Sequence, residues 1–177
     1  MARHIVVELT SRGIRCTARL LDEQAPRTCR AVWDALPQGD QVFHGKYARN
    51  EIYTLLPAFA PAEPGPENTT VTPIPGDLCY FEFDTDMLGT AAYGYDPSAV
   101  LDSPQTTGSE PEAPRPVIDL ALFYGRNNLL INGDQGWIPG NVFGTVVEGL
   151  DEMAEACQSI WMDGARGETL RFSRLEA

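Results

Sequence analysis

The stretch from His44 to Glu51 gathers the side chains with the widest chemical reach in the sequence: His44, Tyr47, Arg49, Asn50 and Glu51. A cation, a carboxylate and several hydrogen-bonding groups this close together can orient a small polar ligand. A few polar groups set into an apolar cleft are what fix a ligand's orientation. The plainer reading of the same residues is an ordinary polar loop. A second set is aromatic: Tyr80, Tyr93, Tyr95, Phe123 and Tyr124 lie in β-prone surroundings, where rings either line a pocket or fill a core. Residues 125–128 and 133–137 are loops with polar reach, and the second ends on Trp137.

Other chemistries lack their residues. Neither a phosphate-cradling glycine loop nor a G-x-S-x-G nucleophile elbow occurs. The two histidines, His4 and His44, stand apart from each other and from cysteine, so no zinc site is expected. Asp84 and Asp86 form a close carboxylate pair, but no further ligand set surrounds them. Cys16, Cys29, Cys79 and Cys157 are widely spaced with no C-x-x-C pair, and read as buried, reduced thiols. The expectation is no cofactor and no metal.

Charge narrows the partners. The net charge is −12, and between Arg49 and Arg115 there is no lysine or arginine. Such an acidic surface repels phosphate backbones, so nucleic acid and anionic membrane are not expected partners. No window reaches the roughly 18 apolar residues of a membrane span. The first nine residues alternate apolar and charged side chains and do not resemble a secretory leader, so a cytoplasmic location is expected. Hydrophobic residues make up 43% of the 177 and charged ones 21%, an ordinary globular composition. One domain over 1–177 is the expectation, with the oligomeric state open.

These residues need strands to hold them. β-Prone runs fall at residues 4–9, 14–21, 41–56, 77–83 and 117–124, then at 141–147, 160–162 and 169–175. Residues 91–95 are a further candidate strand. Two apolar stripes with helical spacing interrupt the strands. Cys29, Val32, Trp33 and Leu36 form one, opened by Pro26 and stopped by Pro37; Leu150, Met153, Ala154 and Cys157 form the other. Residues 57–75 hold six prolines and residues 97–116 five, out of fourteen in all, so both read as long loops or insertions. About eight strands and two short helices imply an all-β, closed antiparallel barrel, which leaves no sheet edge open.

Three segments, in this order, resemble cyclophilins. A-P-R-T-C-R-A-V-W-D-A-L at 25–36 is similar to the family's run into its first helix. Residues 50–59 are similar to its catalytic strand, and V-F-G-T-V-V-E-G-L at 142–150 to the run before its second helix. Residues 75–78 fit a further strand loosely. The match covers a minor part of the chain, and the proline-rich loops resemble bacterial cyclophilin-like families of unknown function more than true isomerases.

The resemblance implies a cleft but not its catalysis. Against the family's F-H-R-x-x-P-G-F, Pro57 falls on the proline, Phe59 on the last phenylalanine, Tyr53 on the histidine and Thr54 on the arginine. That arginine weakens amide resonance, which opposes rotation with a barrier of roughly 18–20 kcal/mol. A preorganised donor of this kind supplies about 3–4 kcal/mol, and threonine is too short and uncharged to replace it. Arg49 would reach the site only after a register slip. Phe123 matches a pocket phenylalanine, Gly140 falls on a pocket histidine, and Trp137 lies two residues from the pocket tryptophan. The expectation is a former peptide cleft that binds a small polar molecule without isomerase activity. A divergent prolyl isomerase and a non-catalytic partner-binding module are the alternatives.

Overall fold

The computed structural model describes residues 2–83, 116–133 and 135–176. Tyr93, Tyr95, Asp84, Asp86, the candidate strand at 91–95 and nearly all of the second proline-rich segment lie outside the described residues.

Alternation of apolar and polar side chains builds the first hairpin. Ile5, Val7 and Leu9 of β1 (His4–Leu9) are fully buried, as is Ala18 of β2 (Ile14–Leu20), while the residues between them reach solvent. β3 (Gln38–His44) and β4 (Glu51–Pro57) follow, then the two-residue β5 (Thr69–Thr70) and β6 (Asp77–Phe83). β7 (Val117–Phe123), the short hairpin β8 (Ile131–Asn132) and β9 (Gly136–Trp137), β10 (Gly140–Glu148) and β11 (Thr169–Arg174) complete the sheets.

The pairing closes on itself. The order β2-β1-β11-β3-β4-β7-β6-β10 is antiparallel throughout, and β10 returns to pair with β2. This is the expected closed eight-stranded barrel, with β5 added beside β10. The first proline-rich segment runs as a loop from the end of β4 and contributes only β5 to the sheet.

Two helices accompany the ring. In α1 (Pro26–Ala35) the buried residues are Thr28, Cys29 and Val32, close to the predicted stripe. α2 runs from Leu150 to Asp163, so the strand expected at 160–162 is instead the helix's last turn. Ile160 continues the stripe of Met153 and Cys157 into the core, leaving Trp161 and Met162 exposed. Their β-propensity yields to this tertiary packing. No helix among the described residues is long and apolar enough to cross a membrane.

The buried residues form two clusters. One draws on all eight ring strands and both helices, and is the barrel interior. The other takes its strand residues from β3, β4, β6, β7 and β10 alone, with Leu130 and Ile138 from the hairpin segment. The second cluster is therefore the outer face of one side of the barrel. All four cysteines are buried and unbridged, and burial pushes the Cys16 and Cys29 thiols up to about 12.

Candidate functional site

A covered outer face needs both apolar side chains and a lid, and this barrel has both. β4 directs Glu51, Tyr53 and Leu55 outward, while Ile52, Thr54 and Leu56 point into the interior. β7 lies beside it, with Asp119 opposite Leu55 and Ala121 opposite Tyr53. β6 completes the surface, with Phe81 opposite Asp119 and Phe83 opposite Val117. The result is an apolar sheet face that holds two carboxyl groups.

The segment between β7 and β10 folds over this face. Asn128 anchors it: its side-chain carbonyl accepts from the Asn50 amide at 3.0 Å, and its amide donates to the carbonyls of Pro73 and Gly125. Leu130 donates to Val71 at 2.8 Å and Ile138 to Leu130 at 3.0 Å, which holds the β8–β9 hairpin in place. Between lid and sheet is a cavity of about 80 Å³. Tyr53, Leu55, Phe81, Leu130 and Ile138 line its walls, with Glu51 and Asp119 set among them and Lys46 and Tyr47 at the rim.

The two acids dominate the electrostatics. Glu51 is 7% exposed and Asp119 6%. Burial raises the Glu51 carboxyl to about 8. Burial first, and then the neighbouring Glu51 charge, push Asp119 well above the usual carboxylate range. Taking a carboxylate out of water without a counter-charge is costly, so such groups hold their protons. Among the described residues, Asp119 Oδ1 has no hydrogen-bond partner. A floor of this kind can donate hydrogen bonds while protonated, or pair with a cation once ionised.

The polar cluster at 44–51 divides between two places. Glu51 and Tyr47 reach the cavity. Arg49 and Asn50 turn toward α2, where a separate depression is bounded by Tyr124, Gln158 and Trp161. His44 belongs to that side. Its Nε2 lies 2.6 Å from the Tyr124 hydroxyl, its ring lies 4.9 Å from that of Trp161, and burial lowers its pKa. A larger depression of about 910 Å³ lies elsewhere on the barrel, but its charged groups Arg15, Glu148, Asp151 and Glu152 are all exposed.

The other expected site residues scatter. Thr54 is wholly buried and faces the interior, so it does not stand in the cleft where the arginine was aligned. The outward positions beside it are Tyr53 and Leu55, and no arginine lines the cavity among the described residues. Phe59 and Tyr80 meet edge to face at 5.9 Å, away from the cavity, and the Tyr80 hydroxyl donates to Glu63. Phe123 is fully buried in the outer cluster. Trp137 is 59% exposed, and its neighbour Ile138 lines the cavity instead. At Gly140, aligned with a pocket histidine, a Cβ would lie 2.6 Å from the Phe81 ring, so a side chain there would have to displace that ring. Asp119 escaped sequence reasoning. Its signal was a lone carboxylate inside the apolar run at 117–124, where aspartate is disfavoured.

The family described as "Protein of unknown function (DUF3830)" matches residues 7–172. No curated protein matches the chain. Among solved structures, that of McbB in complex with tryptophan aligns with a TM-score of 0.57 and 19% identity, over 98% of this chain and 45% of McbB. The chain thus spans less than half of that neighbour's length. The solution structure of the hypothetical protein AF2241 from Archaeoglobus fulgidus aligns with a TM-score of 0.49 and 20% identity, over 98% of this chain and 95% of that one. The fold is the cyclophilin-like barrel.

Proposed function

This chain belongs to the DUF3830 family of unknown function, and we propose that it binds a small molecule in the cavity on the outer face of β4, β7 and β6, without prolyl-isomerase activity. The observation that carries this reading is the Asp119 carboxyl, buried in an apolar cavity with Oδ1 unpartnered among the described residues. A buried polar atom without a partner costs about 1–3 kcal/mol, and a bound ligand would recover that cost. Apolar walls with a few convergent polar groups are the usual make-up of a ligand pocket. The isomerase reading lacks its arginine, since Tyr53 and Leu55 occupy the outward positions of β4.

The direct test is a thermal-shift screen with small carboxylates, amides, ureides and amines. Tryptophan belongs in that set because a structural neighbour is described in complex with it. At least one compound class is expected to raise the melting temperature of the wild type but not of Asp119→Leu. Silence across the whole set overturns the binding reading. A proline-peptide assay is expected to show only the uncatalysed rate, and acceleration by orders of magnitude would overturn the second half.

A further inference from the structure

Two acids on the floor of one small apolar cavity set a condition on what can occupy it. Asp119 lies between Leu55 and Phe81, which contribute no donor to it. Its Oδ1 finds no hydrogen bond among the described residues, and its residue is 6% exposed. Glu51 reaches the same cavity from the start of β4, with its Oε2 packed close over Gly45. We propose that the cavity is a site for a small organic cation, an ammonium carried on a short apolar body, held between Glu51 and Asp119. This deepens the small-molecule reading above and rests on it.

The alternatives are weaker on charge. An anionic ligand would leave both acids protonated and bury its own charge without a counter-charge, on a chain of net charge −12. A neutral ligand leaves the acids protonated and draws only on hydrogen bonds between neutral groups, which are weaker than charge-assisted ones. An ammonium lets the pair ionise and supplies a buried counter-charge, which neither acid finds among the described residues. Lys46 sits at the rim and is exposed, so its charge is not part of the floor. Size limits the body. An apolar cavity of roughly 150 Å³ takes up benzene, and this one, at about 80 Å³, suits a smaller body, an aliphatic chain of about three carbons.

Ionisation on binding gives the proposal a signature of its own. Near neutral pH the acids must shed protons as the cation enters, so the binding enthalpy will depend on the buffer's ionisation enthalpy. Among the described residues, the other titratable groups at the cavity are Lys46 and Tyr47 from the loop before β4 and Tyr53 from β4, with Cys79 of β6 close enough to feel both acids, and the Glu51 charge acts on Asp119.

The test compares propylamine, propanol and propionate, three molecules of similar shape and different charge, by calorimetry on the full chain. The amine is expected to bind about tenfold or more tightly than the alcohol, with proton release, and propionate not at all. Asp119→Asn and Glu51→Gln, which keep side-chain shape, should each weaken the amine about tenfold while leaving the alcohol unchanged. Equal binding of amine and alcohol overturns the cation site and leaves the cavity reading standing. So does amine binding that neither substitution disturbs. If none of the three binds at millimolar concentration while another compound class from the screen does, the cation site alone fails; silence from every class removes both readings. The comparison among probes on the wild type decides the matter even if a variant does not fold.

Discussion

Asp119 stands directly opposite Leu55 in the β4–β7 ladder, a carboxyl group beside an isobutyl group on an otherwise apolar sheet face. A position selected only for stability would carry an apolar residue there. Asp119→Leu removes a buried polar group without a full set of partners and fills part of the cavity. It should stabilise the unliganded protein by about 1–3 kcal/mol, read as a shift in denaturant midpoint at constant slope. Loss of stability would mean that the carboxyl is satisfied in solution and has a structural role. Natural proteins keep such costly groups where function needs them.

The same acids set a pH dependence whose direction is fixed. Burial raises the Glu51 carboxyl from 4.5 to about 8, so between these values the native state holds a proton that the unfolded chain has released. Stability therefore falls as pH rises through that window. His44 acts in the opposite sense. Burial lowers its pKa from 6.5, so its contribution is lost as pH falls below that value. The difference between wild type and Glu51→Gln isolates the acid. That difference should move in favour of the glutamine variant from about pH 5 to about pH 8 and then level off. A flat difference would show that Glu51 is ionised throughout.

Thr54 shows how far the sequence could be read. Aligned side chains suggested a cleft position, but β alternation sends Thr54 inward with Ile52 and Leu56. A one-residue error in register exchanges the two faces of a strand, and no spacing within β4 reveals which face is the cleft. The barrel was legible because its strands alternate, its helices carry i, i+3, i+4 stripes and its prolines cluster. Asp119 was legible only as an oddity in an apolar run, because its neighbours Leu55 and Phe81 come from other strands. The strand expected at 160–162 became helix because Ile160 is buried with Met153 and Cys157.

The interior placement of Thr54 is itself testable. Its hydroxyl is buried with no hydrogen-bond partner among the described residues. Thr54→Val keeps the shape and removes the unsatisfied group, so stability should be unchanged or higher by about 1 kcal/mol. Ligand binding in the outer cavity should not move. A variant that kept its stability but lost binding would put Thr54 on the wrong face.

Gly45 controls the approach of Glu51 to the cavity. A Cβ there would meet the Ala48 carbonyl oxygen at 2.5 Å and Glu51 Oε2 at 2.6 Å. The carbonyl is backbone and cannot swing aside as a side-chain tip would. Gly45→Ala should therefore destabilise by about 1–3 kcal/mol and weaken ligand binding through displacement of the 45–51 loop. An alanine variant indistinguishable from wild type in both respects would show that the loop adjusts freely.

Glu67 performs at a distance what the N-cap of α1 does not. Ala25 at the cap has no side chain that can accept, and the Thr28 amide and hydroxyl donate to Glu67 at 2.8 and 2.9 Å. Arg27 adds an ion pair at 3.1 Å. Burial alone would raise the Glu67 carboxyl, but the hydrogen bonds from Thr28 and Arg27 outweigh it and hold it below the ordinary value. The stability this provides is present above about pH 4.5 and is lost as pH falls through the lowered pKa. Glu67→Gln should cost about 0.5–2 kcal/mol at neutral pH, the usual worth of a cap. The gap from wild type should close in acid, and a gap that persisted there would assign Glu67's role to packing and not to its charge.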